Sequence, residues 1–158
     1  MSDLLVWIET SALATWTRES TSIWAYPTIL TLHTVGLGIV VGASAVVDLR
    51  LLGFAPRIPV PSLRPLFRLL WWAFALNALT GVLLFMTDAS HKAVQRVFHI
   101  KLGLIAIGLA TAWLIQNAVT RSPDGPNIDT GARERGLAVL SLIVWTAAIV
   151  AGRLMAYL

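Results

Sequence analysis

Apolar residues dominate this chain in four long runs, and the charged residues fall between them at near-regular intervals. From Ser20 to Val47 there are 28 consecutive residues without a carboxylate, lysine or arginine. Charges are likewise missing between Arg68 and Asp88, between Lys101 and Arg121, and between Arg135 and Arg153. Each gap holds about the 20 residues that a helix needs to cross ~30 Å of hydrocarbon at 1.5 Å per residue. The pattern predicts four membrane spans at about 22–52, 65–88, 94–120 and 134–157. Helix breakers separate them: Gly53, Pro56, Pro59 and Pro61 lie in the first connection, and Thr120–Gly131 reads TRSPDGPNIDTG. The expected fold is all-α, an integral membrane four-helix bundle over residues 21–158.

Residues 1–20 form a different kind of segment. Leu4, Ile8, Ala12 and Trp16 share one helical face, with Leu5 beside them, whereas Asp3, Glu9 and Thr10 lie elsewhere. This predicts a short amphipathic helix in the membrane interface, with Trp16, Trp24 and Tyr26 at head-group level. The segment has no basic start and no cleavage site, so it does not read as a signal peptide.

Composition agrees with the spans. Apolar residues make up 57% of the 158 positions and charged residues 13%, with a mean hydropathy of +0.76, against roughly 25% charged in a soluble domain. The net charge of +4 does not indicate nucleic acid, because the arginines sit at span ends rather than on one soluble face. Membrane lipids, anionic head groups above all, are the expected partner. The connections between spans 1 and 2 and between spans 3 and 4 carry seven basic residues, against five on the opposite side. The positive-inside rule then puts both termini outside the cytoplasm. Cysteine is absent, which excludes disulfides, thiolate metal sites and thiol catalysis. Phosphate-binding glycine loops, HExxH, GxSxG and mid-span carboxylates are missing too, leaving Asp48 and Asp88 at span ends.

His33 is the most informative residue, because an imidazole inside a span needs a cavity, a partner helix or a ligand. Only His91 and His99 accompany it. In the expected topology His33, His99, Lys101, Met86, Arg153 and Met155 all belong to the outer half of the bundle. Two histidines on different helices are the usual axial ligands of a b-type haem in a bundle. Gly36 follows His33 by three residues and Gly103 follows His99 by four, on the same faces, so a ring has close access to both backbones. Arg153, Lys101, Lys92 and Arg96 supply cations for propionates, and Trp24 or Trp145 an aromatic neighbour. The leading expectation is thus a b-type cytochrome-like protein passing electrons to a quinone or a redox partner protein.

Plainer readings compete with this one. Gly36, Gly38 and Gly42 also suit a helix-packing face that permits a homo-oligomer. His99 and His91 suit solvated interface, Asn77 suits a bond to another span, and Lys101 and Arg153 suit snorkelling. A second functional class is copper binding or transport, with His33, His99 or His91 and the thioethers of Met86 and Met155 as a soft metal site. A third is a scaffold without a cofactor.

Four segments carry a resemblance: LHTVGLGIVVGASAVVDLRLLG, TGVLLFMTDA, VFHIKLGLI and SLIVWTAAIVAGRLMAYL. The chain resembles small bacterial four-helix membrane proteins of unknown function that have an LHxxGLG…DLRLLG start and a GRxxAY end. The likeness covers roughly residues 22–158 and implies a bacterial inner membrane protein, without implying an activity. More distantly, His33, Phe98, His99 and Lys101 are similar to elements of copper-resistance D-like and HemJ-like haem membrane proteins.

Overall fold

The structure is a computed structural model that describes residues 2–121, 131–155 and 157. Among the described residues seven α-helices follow one another: α1 (Ser2–Glu9), α2 (Ala12–Glu19), α3 (Tyr26–Leu51), α4 (Arg64–Met86), α5 (Ala89–Lys92), α6 (Arg96–Arg121) and α7 (Ala132–Leu154). A 3-10 turn, Val60–Leu63, leads into α4. Helices α3, α4, α6 and α7 are the four spans, and the protein is an all-α four-helix membrane bundle. At 26 residues, α3 and α6 each reach about 39 Å at 1.5 Å per residue, enough for the hydrocarbon with a margin. The expected connection over Thr120–Gly131 lies largely outside the described residues.

Local chemistry sets the span ends. Pro27 and Pro65 occupy the first turns of α3 and α4, where a missing N–H costs no helix bond. Helix α3 stops at Gly53, whose φ of +100° suits a residue without Cβ. The Gly53 N–H reaches the Arg50 carbonyl at 3.1 Å and the Phe54 N–H reaches Leu49 at 3.0 Å, the paired bonds of a Schellman ending. Arg50 then braces the loop by donating from Nε to the Ile58 carbonyl at 2.6 Å and from a terminal nitrogen to Pro56 at 3.2 Å.

Helix α3 packs most extensively on α4 and next on α7, while α6 packs chiefly on α7 and only sparsely on α4. Two buried apolar clusters hold these helices together. One, with Val47, Leu51, Leu63, Phe67, Ile115 and Val119, lies toward the end bearing the α3–α4 connection, called here the loop end. The other, with Val40, Leu70, Ala73, Ala112 and Trp145, fills the middle. Only 22–33% of each span's most apolar stretch is buried, so most of the apolar surface faces outward, as a lipid-facing bundle requires.

The N-terminal segment forms two helices instead of one. Ser11 breaks it, accepting from the Ala14 N–H at 3.4 Å as the N-cap of α2. Leu4, Trp7, Leu13 and Trp16 stay exposed, while Ala14 and Thr17 are buried against the bundle. Helix α1 rests on α5 and α2 on α4, so the segment braces the opposite, termini end. Glu9 accepts from the Ser90 hydroxyl at 2.6 Å and the Ser90 N–H at 3.2 Å. Arg18 lies 3.6 Å from Glu9 and donates to the Thr87 carbonyl at 3.3 Å. These donors hold the Glu9 carboxyl below the usual carboxylate range, the Ser90 hydroxyl contributing most.

Candidate functional site

Toward the termini end the interior changes character. Between the middle apolar cluster and α5, the buried and half-buried positions include His33, Asn77, Thr80 and Lys101. Helix periodicity explains the grouping. On α3 the buried residues Ile29, Gly36, Val40, Ser44 and Val47 make one stripe, and His33 falls on it four residues after Ile29 and three before Gly36.

That stripe meets α4 at close range. A Cβ on Gly36 would lie 3.3 Å from the Ala73 carbonyl and from Asn77 Cβ, so Gly36 serves the contact between α3 and α4. Gly38, Gly42 and Gly103 face open space. Across this seam His33 Nδ1 lies 3.0 Å from the Asn77 carbonyl and 3.2 Å from Thr80 Oγ1. A carbonyl only accepts, and at 3.0 Å it is nearer than the Asn77 Nδ2 donor at 3.3 Å, so the contacts favour a proton on Nδ1, which leaves Nε2 of the neutral ring its lone pair. The Asn77 amide returns a bond to the His33 carbonyl at 2.7 Å, the cross-helix role expected of it. Gly81 makes room for the ring: a Cβ there would stand 3.0 Å from His33 Cε1.

The other candidates are placed as follows. His99 is exposed on α6, with Nδ1 3.0 Å from the Gln95 carbonyl, so the same reasoning leaves its Nε2 as the acceptor. Its ring stands edge-on to Phe98, which stacks on Phe85 of α4 at 5.2 Å between centroids. Lys101 is half-buried and lies against α7, with Nζ 3.5 Å from where a Gly152 Cβ would be. Its charge acts on His33 and meets that of Lys92. Lys92 donates to the Leu84 carbonyl, and burial pushes its ammonium below the ordinary lysine value. Arg153 is exposed on the last turn of α7, and Met86 and Met155 are half-buried at the same end. His91 is exposed and pairs with Asp88 at 3.5 Å. Trp145 is buried in the middle cluster against Gly108, whereas Trp24 is 71% exposed.

The structure therefore brings His33, Asn77, Thr80 and Gly81 together and sets Lys101 near them, without bringing His33 and His99 into contact. Among the described residues no three histidine or carboxylate side chains gather to hold a metal ion. Sequence reasoning passed over Thr80, Gly81 and the burial of Asp48. Comparison with models of protein families, with curated proteins and with solved structures finds no match.

Proposed function

We propose that the termini half of the bundle binds a b-type haem, which His33, through Nε2, and His99 would hold, and that the protein would then carry electrons within the membrane. The observation that supports this most is the anchoring of His33 Nδ1 on the Asn77 carbonyl at 3.0 Å. Ligating histidines commonly donate their other ring N–H to a carbonyl or carboxylate, which fixes the tautomer and aims the free nitrogen. His99 repeats the arrangement on Gln95. Helices α3 and α6 both pack on α7, and the exposed His99 ring would have to turn inward to share a ligand with His33.

The donor types suit the group. Imidazole nitrogens suit haem iron, and Lys101, half-buried against α7, suits a propionate. Arg153, one residue after Gly152, supplies a second cation at the same end. When bound, haem supplies one-electron chemistry, and two protein ligands favour electron transfer over oxygen binding. The chain's own part is to orient Nε2, exclude water with the apolar middle cluster and balance the propionate charge. A quinone or redox protein at the membrane surface is the matching partner, and a bacterial inner membrane with both termini outside is the matching location.

Protein purified in detergent from haem-replete cells is the test. The expected result is a red protein with the sharp reduced-minus-oxidised bands of six-coordinate low-spin haem. His33→Ala should lose most of the haem, and His99→Ala should give a five-coordinate spectrum. A colourless wild-type protein would overturn the proposal.

A further inference from the structure

Asp48 is 1% exposed although it stands in a span. It lies one turn after Ser44, on the same buried stripe of α3. Ser44 Oγ donates to Asp48 Oδ2 at 3.2 Å and lies 3.1 Å from Ser141 Oγ on α7. Ser141 is fully buried. The second carboxyl oxygen, Oδ1, is buried and has no hydrogen-bond partner among the described residues. Next to the cluster is the apolar packing of Val47, Leu51, Phe67 and Ile115.

Among the described residues, no ion pair to this carboxyl is present. On α3, Arg50 is committed to the loop carbonyls of Pro56 and Ile58. On α4, Arg64 and Arg68 line a groove with Trp72 and Gln116. On α6 and α7, Arg121, Arg133 and Arg135 are exposed, and Glu134 turns back onto Gly131. An ionised carboxylate with one oxygen bare in a dry bundle is costly by many kcal/mol, and such a group gives up its charge by binding a cation. Asp48 is three residues from the end of α3, about one helical turn from the loop end.

We propose that Asp48, Ser44 and Ser141 form an intramembrane proton-binding site, loaded from and released to the aqueous face at the loop end. A hydronium ion gives its proton to the carboxylate and leaves as water, and the reverse step restores the ion. The hydroxyls of Ser44 and Ser141 hold the acid in place and accept or donate according to its state. This site is independent of the haem reading, since it lies at the other end of α3 from His33.

The test uses the full chain in lipid nanodiscs. Infrared spectra at neutral pH should contain the C=O band of a protonated carboxyl, absent in Asp48→Asn and displaced on transfer to D2O. Dicyclohexylcarbodiimide, which reacts with protonated carboxyls in membranes, should label Asp48, with labelling lost toward alkaline pH. Should Asp48→Asn fail to fold, Ser141→Ala keeps the acid and should retain the band at an altered frequency. Absence of both band and label at neutral pH would overturn the proposal. So would a band that does not move in D2O, which marks a sealed structural acid, or protection from the reagent by sodium at fixed pH, which marks a metal-cation site.

Discussion

Replacing Gly81 by alanine tests the placement of His33 more directly than removing the histidine does. A Cβ at Gly81 stands 3.0 Å from His33 Cε1 and 3.5 Å from Nδ1. Carbon atoms settle at ~3.5 Å or more, so the ring must retreat by roughly half an ångström. The bonds from Nδ1 to the Asn77 carbonyl, now 3.0 Å, and to Thr80 Oγ1, now 3.2 Å, then stretch past good geometry. Bonds of this kind contribute about 0.6 kcal/mol each inside a membrane. Against that loss, alanine gains up to about 1 kcal/mol over glycine in a helix interior. Gly38→Ala isolates the gain, because a Cβ at Gly38 meets nothing within 4 Å. Unfolding of both variants in one detergent should therefore find Gly38→Ala the more stable by about 1 kcal/mol. Haem retention should fall in Gly81→Ala alone, since only there is Nε2 re-aimed. Equal stability and equal haem content in the two variants would show that the imidazole does not sit on Gly81.

Three further outcomes follow from other contacts. Gly108→Ala should destabilise the bundle by about 1–3 kcal/mol through overpacking, because its Cβ would stand 2.9 Å from Trp145 Cε2; a stability matching Gly38→Ala counts against that contact. The lowered Glu9 carboxyl stabilises the docking of α1 on α5 at neutral pH and down through the ordinary carboxylate range, and that contribution disappears as acid protonates the folded form. Limited proteolysis should find α1 released below that range and Glu9→Gln released already at neutral pH; acid-independent cleavage would refute this. Single cysteines at Phe54, 63% exposed, and Val94, 75% exposed, should label from the cytoplasmic and outer sides respectively; the reverse result would invert the proposed topology.

Four spans were legible because hydrocarbon thickness fixes their length and charges mark their ends, but hydropathy says little about which way each helix turns. The faces are marked by small and polar residues. On α6 the buried positions are Gly108, Thr111, Ala112, Ile115 and Val119. Lys101 precedes Gly108 by seven residues, about two turns, and shares that face; His99 precedes it by nine, about two and a half turns, and points away. This phase accounts for the half-burial of Lys101 and the exposure of His99, and it was present in the sequence. Asp48 shows the opposite difficulty. The sequence places it only near a span end, yet it continues the α3 stripe through Val40, Ser44 and Val47, and Ser141 on α7 completes its surroundings. No pattern within α3 announces a serine 97 residues beyond Ser44. The break between α1 and α2 was legible in principle, since Ser11 is a good N-cap ahead of the Ala12–Glu19 helix.

The two ends of the bundle are held by different forces, and this bears on where a ligand acts. Toward the loop end and in the middle, two apolar clusters pack the helices. Toward the termini end the helices meet through His33, Asn77 and Thr80, through Phe85 on Phe98, and through the brace of Glu9 and Arg18 on Ser90 and Thr87. Hydrogen bonds between membrane helices contribute little each, and an exposed ion pair such as Glu9–Arg18 little more. The termini end is thus expected to open more readily than the two apolar clusters. A ligand bound only by the closed arrangement stabilises it by RT ln(1 + [L]/Kd), about 2.7 kcal/mol at a hundredfold excess over Kd. That gain exceeds the contribution of any single hydrogen bond there, so occupancy of the His33 site and docking of α1 and α2 should rise together, and loosening the brace should weaken ligand binding without touching the ligand.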